Sequence, residues 1–181
     1  MSQNLEALRE AMPDVARDTR INLQSVLVPG TLSKEQVWGT AVASAAAARR
    51  ADLLEAMVAQ ARIEAGDAVV DDGLAAAAMM AMNNVFYRFR HLVEKPSYAD
   101  KPARLRMQRL GRPATNKVDF ELFCLAVSAI NNCEACVKAH EDAVLKGGLT
   151  EDHVQDAVRI AAVVQSAAVA LEIAAAAKPA S

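Results

Sequence analysis

The run from Ile160 to Ala177, IAAVVQSAAVALEIAAAA, limits what this chain can become more than any other segment. It has the length of a membrane span, yet alanine supplies little transfer free energy per residue, and Gln165, Ser166 and Glu172 interrupt it. A helix buried among other helices fits it better than a transmembrane one. The same character recurs through the 181 residues: 53% are apolar and only 4% aromatic. The apolar share is carried largely by Ala, Leu, Met and Val, and the first three are strong helix formers, so tightly packed helices follow. No stretch sustains a two-residue alternation, and the one hairpin-type dipeptide, Asp72-Gly73, precedes a helical run. The chain is expected to be all-α, and its length suits one domain with a sizeable core.

Punctuation places the helices. Pro13 suits a first-turn position after a short leading helix, and Pro29-Gly30 closes the N-terminal segment. Ser33-Lys34-Glu35-Gln36 is a capping-box pattern that opens a helix through about Arg49. A second helix runs from Asp52 to Glu64 and stops near Gly66; a long one covers about Asp71 to Glu94. Residues 95–117 hold three prolines and a glycine and read as a connector with one helical turn around Arg104 to Leu110. Helices over Val118 to Ile130 and Cys133 to Lys146 follow, then a Gly147-Gly148 stop, then a long helix capped by Thr150.

Sliding the chain by 85 positions aligns Trp38 with Phe123, Val42 with Val127, and Arg49 to Glu55 with Glu134 to His140. Each half, about 34–94 and 118–177, is then two shorter helices followed by a long apolar one, which points to duplication within a single domain. Cys133, Cys136 and His140 face Ala48, Ala51 and Glu55 in this register, so the first copy carries no thiols.

A net charge of −2 gives no cationic field to attract nucleic acid. Between Arg88 and Lys117, however, nine Lys or Arg stand against Glu94 and Asp100. That local excess reads as a solvated loop or an oligomer rim before it reads as a docking surface for an acidic partner. The opening residues MSQNLEALREAMPDVARD are charged throughout and resemble neither a secretory signal nor a transit peptide, so a cytoplasmic, reducing location is expected, with no membrane association. In that setting three cysteines do not form a disulfide scaffold, and a Cys-x-x-Cys is metal-binding or redox-active.

That motif lies in NNCEACVKAHE, Asn131 to Glu141. On a helix, Cys136 lies about 60° and His140 about 20° from Cys133, so all three project from one face. Asn132 is a good N-cap, which puts Cys133 in a first turn whose free N–H groups and dipole favour thiolate. His140, four residues after Cys136, is within reach of that sulfur as a base. Each thiol thus has a means of activation, either can be the nucleophile, and the other stands ready to close a disulfide. Glu121 lies twelve residues before Cys133. If its helix folds back at Asn131-Asn132, its carboxylate joins a proton relay with His140; otherwise it is a solvated first-turn carboxylate.

Zinc competes for the same residues, because Cys-x-x-Cys is half of many structural sites and His140 supplies a third donor. A closed site needs four, and the remaining candidates Cys124, His91 and His153 are unpaired. Cys124 reads as a small buried hydrophobe, His153 as a first-turn residue of the last helix, and His91 as a surface residue. A thioredoxin fold is disfavoured by the lack of strands.

Cys133-x-x-Cys136-x-x-x-His140-Glu141, preceded by Phe120-Glu121-Leu122-Phe123 and AVSAINN, resembles the AhpD alkylhydroperoxidases, within the wider carboxymuconolactone decarboxylase-like fold. The likeness extends to EQVWGTAVASAAAAR (35–49) and AMNNVFYR (81–88), and so spans nearly the whole chain. The resemblance implies a duplicated helical fold assembled as a homotrimer, and a thiol peroxidase with no bound cofactor or metal. It implies that dihydrolipoamide groups on an acyltransferase subunit reduce the Cys pair, which in turn reduces organic hydroperoxides or regenerates the peroxiredoxin AhpC. Carried over residue by residue, Cys136 is the peroxidatic thiol that becomes sulfenic acid. Cys133 is the proton donor and resolving thiol that closes the Cys133–Cys136 disulfide, and Glu121 and His140 form the relay. Ala135 departs from the pattern, since some members place a histidine there. Two other readings stand beside this one: a zinc-stabilised interaction module, and a decarboxylase-like enzyme on the same fold that does not need the thiols.

Overall fold

Ten successive residues, Gln36 to Ala45, are all buried. They belong to α3 (Lys34–Ala48), and a helix covered on every side has to stand at the centre of a bundle. The computed structural model describes residues 3–177, and among them are ten α-helices, one 3-10 turn at Asp14–Ala16 and no strand. Before α3 come α1 (Gln3–Glu10) and α2 (Arg17–Val26); after it come α4 (Ala51–Ala65) and α5 (Asp67–Val93). The connector holds two short helices, α6 (Pro96–Ala99) and α7 (Gln108–Gly111). The chain then forms α8 (Lys117–Ile130), α9 (Glu134–Lys146) and α10 (Glu151–Ala176).

α8 is the second central helix, with Phe120 and every residue from Leu122 to Ser128 buried. α3 packs against α4, α5, α8 and α10, and α8 against α3, α5, α9 and α10. The two centres meet where Gly39 lies under the Phe123 ring; a Cβ on Gly39 would fall 2.0 Å from Phe123 Cζ. No side chain fits there, so this crossing requires glycine. α5 approaches α3 in the same manner, since a Cβ on Gly73 would lie 2.9 Å from the Gly39 carbonyl oxygen.

α10 has the length and composition of a membrane span. Its Ile160, Val164, Ala167 and Leu171 are buried, a stripe at helical spacing, and the helix packs on α2, α3 and α8. It is thus a core helix of this bundle, as its alanine-rich sequence suggests.

Most boundaries fall where the punctuation puts them. Ser33 and Gln36 form a reciprocal capping box, with Ser33 N–H donating to Gln36 Oε1 at 3.0 Å and Gln36 N–H to Ser33 Oγ at 3.2 Å. Three expectations need correction. Pro13 precedes a 3-10 turn rather than sitting in an α-helical first turn. α5 begins at Asp67, not Asp71, because Gly66 at φ +85° already breaks the chain and leaves no loop between α4 and α5. The connector's second turn is Gln108–Gly111, not Arg104 to Leu110: Arg104 adopts φ +52°, outside helical geometry.

Candidate active site

α8 ends and α9 begins within three residues, and backbone hydrogen bonds dictate how. Asn132 takes φ +53°, its N–H donates to Ala129 O at 3.1 Å, and Cys133 N–H donates to Ser128 O at 3.1 Å. This is a Schellman cap closing α8, and asparagine is one of the few residues that tolerate its left-handed position. Asn132 is therefore a C-terminal cap residue of α8 and not the N-cap of α9. Cys133 itself is the N-cap of α9, in extended geometry, and Cys136 stands in the first turn. Both sulfurs therefore belong to the N-terminal end of α9, where the free N–H groups and the positive end of the helix dipole lie.

The two cysteines are joined as a disulfide, with Cα atoms 5.3 Å apart. Cys133 is fully buried, whereas Cys136 retains 6% exposure. That small opening leads to a pocket of about 320 Å³, lined by Cys136 and His140 of α9 and not by Cys133. The rest of the lining is mostly apolar: Tyr87 and Asn83 from α5, Met107 and Leu110 from the connector, and Ala135 and Ala139 from α9. Ala135 contributes only a methyl group to this wall.

α8 and α9 fold back on each other, which brings Glu121 to His140. Oε2 of Glu121 lies 2.6 Å from Nδ1 of His140, and the side chains are 13% and 12% exposed. A carboxylate only accepts, so Nδ1 carries the proton in this contact and Nε2 is left to take or give one. Nε2 lies 3.2 Å from the Met80 thioether, a weak acceptor.

One face of α5 supports the whole turn. Asn84 Nδ2 donates to Ser128 Oγ at 2.9 Å, and Asn131 Nδ2 donates to Asn84 Oδ1 at 2.9 Å. Arg88 donates to the Asn131 carbonyl at 2.7 Å, and His91 lies 3.3 Å from Glu134, which Lys138 also pairs. Lys138 first, then His91, holds the Glu134 carboxyl below the usual range. Asn84, Arg88 and His91 repeat at i, i+4 and i+7, a polar stripe on a long apolar helix that could have disclosed the contact from the sequence.

Asp72 fixes the pocket's other wall. It is wholly buried, and its carboxylate accepts from Arg109 at 2.8 Å, Ala114 N–H at 2.8 Å, Thr115 N–H at 2.7 Å and Thr115 Oγ1 at 2.7 Å. These bonds tie the connector, and with it Met107 and Leu110, to α5. Two cations of the basic excess, Arg88 and Arg109, are therefore spent inside the fold.

Cys124 lies in the core, and burial pushes its thiol well above the usual range, with the charges of Glu121 and Asp72 acting in the same direction. His153 is in the first turn of α10, its Nδ1 2.7 Å from Thr150 Oγ1, and His91 is exposed. The donors a zinc site needs do not converge: among the described residues no three of His, Cys, Asp or Glu are placed to hold a metal.

The family model described as carboxymuconolactone decarboxylase family matches residues 96–179, which include Glu121, both cysteines of the pair and His140. An alkyl hydroperoxide reductase AhpD of Anaeromyxobacter dehalogenans is 65% identical over 170 residues, 94% of this chain and 91% of the relative. Proteins of the same name from Gluconacetobacter diazotrophicus and Brucella suis are 49% and 46% identical, covering 95% and 98% of those relatives. With identity this high over nearly the full length, the chain belongs to the AhpD family of alkyl hydroperoxide reductases.

Proposed function

We propose that this protein is a thiol-dependent alkyl hydroperoxide reductase, an oxidoreductase that acts through Cys136. The observation that carries the reading is that Cys136, not Cys133, opens onto an apolar pocket shared with His140. His140 Nε2, with Nδ1 held by Glu121, takes the Cys136 proton. The Cys136 thiolate attacks the terminal oxygen of the hydroperoxide; the S–O bond forms as the O–O bond breaks, and sulfur is oxidised to sulfenic acid. The alkoxide leaves with the proton of Cys133. The resulting Cys133 thiolate then attacks the Cys136 sulfur, and hydroxide departs as water with the proton returned from His140.

Two electrons must then come from a dithiol, and dihydrolipoamide on an acyltransferase subunit is the donor that the family resemblance supports. The same resemblance supports regeneration of the peroxiredoxin AhpC, a cytoplasmic location and a homotrimer. Val85, Phe89 and Leu92, exposed at i, i+4 and i+7 of α5, form an apolar stripe that also supports assembly. Duplication of a 34–94 unit as 118–177 is supported by helix lengths of 15, 15 and 27 residues repeated as 14, 13 and 26.

The test is peroxide consumption driven by dihydrolipoamide. Cys136→Ser abolishes it on this reading, and peptide mass mapping of peroxide-treated protein finds the Cys133–Cys136 disulfide, reopened by dihydrolipoamide. Turnover near that of the unaltered protein in Cys136→Ser would refute the assignment.

A further inference from the structure

Neighbouring asparagines on α5 have opposite circumstances. Asn84 is bonded on both sides of its amide, to Ser128 and to Asn131. Asn83, only 5% exposed, lines the pocket beside Cys136, and its Oδ1 is buried with no hydrogen-bond partner. Buried polar atoms are almost always paired, and an orphan acceptor on a residue that lines a reactive pocket points to a ligand that supplies the missing donor.

We propose that Asn83 is a substrate-binding residue whose Oδ1 accepts the O–H of the hydroperoxide's terminal oxygen. The inference rests on the peroxidase reading above. It places the reacting oxygen at Cys136 while the alkyl group lies along Tyr87, Met107 and Leu110. The chemistry suits an amide oxygen. The hydrogen on the terminal oxygen is not lost when the Cys136 thiolate bonds to that oxygen and the O–O bond breaks; it stays on the sulfenic acid. Asn83 thus holds the same O–H in the substrate and in the oxidised cysteine. A neutral amide also accepts this bond without placing a second negative charge beside the thiolate, as a carboxylate would.

Asn83→Leu keeps approximate size and removes the acceptor. Because Oδ1 has no partner in the free protein, its loss leaves Tm unchanged or raised. The reduced variant is expected to react with cumene hydroperoxide about tenfold more slowly in kcat/KM, the loss of roughly one hydrogen bond. Reopening of its disulfide by dihydrolipoamide proceeds at the wild-type rate. Asn83→Ser, whose shorter side chain falls back from the pocket, is expected to show the same split and serves if the leucine variant does not fold. A wild-type peroxide rate in either folded variant overturns the proposal, as does an equal loss in both half-reactions with a lowered Tm. If the unaltered protein itself fails to consume cumene hydroperoxide, the peroxidase reading falls instead.

Discussion

Glu121 Oε2 and His140 Nδ1 meet at 2.6 Å across the α8–α9 turn, although the residues are 19 positions apart. The carboxylate fixes which imidazole nitrogen carries a proton, and on the proposed mechanism Nε2 is then the acid–base group. Replacing His140 by Phe removes that group and is expected to slow the peroxide half-reaction by about 10²-fold. Glu121→Gln keeps a hydrogen-bonding shape but loses the charge that stabilises imidazolium, so its loss is smaller. Stopped-flow measurement of reduced enzyme with hydroperoxide checks both, and unchanged rates would remove the relay.

Asn84 ties the turn that carries the cysteines to α5. It is 1% exposed, and its loss strands the Ser128 hydroxyl and the Asn131 amide. Asn84→Leu should cost about 2 kcal/mol of stability, the usual range for leaving buried polar groups unmatched. It should also slow both half-reactions, because the Schellman cap that positions Cys133 sits on Asn131. Urea unfolding with parallel kinetics measures this; stability within error of wild type would show that Asn84 is not a clamp.

How much of this was legible in the sequence depends on the range of the interactions. Helix identities and most ends came from local chemistry, such as the Ser33 box and the Gly147-Gly148 stop, and these survive in the fold. The one-residue error at Asn132 has a local cause as well: asparagine serves both N-caps and left-handed C-caps, and only the bonds to Ser128 and Ala129 distinguish them. The one-face geometry of Cys133, Cys136 and His140 follows from helical spacing, but the arrival of Glu121 depends on a tertiary fold-back that spacing alone leaves open. In the sequence Asp72 is only half of a turn-like dipeptide, because the four groups that donate to it belong to three residues about 40 positions away, Arg109, Ala114 and Thr115 of the connector. Asn83 was invisible for a different reason, since its distinction from Asn84 is the absence of a partner.

Asp72 anchors the segment that walls the pocket, so its removal is expected to harm both stability and substrate range. Asp72→Ala leaves two backbone N–H groups, the Thr115 hydroxyl and the Arg109 guanidinium without their acceptor, and a cost of about 3 kcal/mol is expected. Arg109 is 37% exposed, and Arg109→Ala should cost nearer 1 kcal/mol. Denaturant unfolding gives both values, and limited proteolysis should show new cleavage within residues 95–117 only for Asp72→Ala. Equal costs for the two variants would mean that the ion pair, not the backbone anchoring, dominates.

Cys124 gives the protein a pH dependence of determinable sign. In the fold its thiol is held well above the usual range, first by burial and then by the charges of Glu121 and Asp72. In the unfolded chain it ionises near its ordinary pKa of about 8.5. Above that pH the folded state binds one proton more than the unfolded state, so this contribution to stability is complete below about pH 8.5 and declines as pH rises. The limiting slope for one group is about 1.4 kcal/mol per pH unit. Cys124→Ala removes the slope while imposing a pH-independent packing loss of about 1 kcal/mol. Urea midpoints for both proteins between neutral and alkaline pH should therefore converge as pH rises. Curves that stay parallel would place the Cys124 thiol in its ordinary range. Alkylation gives an independent check: in the reduced, folded protein at mildly alkaline pH, mass mapping should find Cys136, which opens onto the pocket, modified and Cys124 protected.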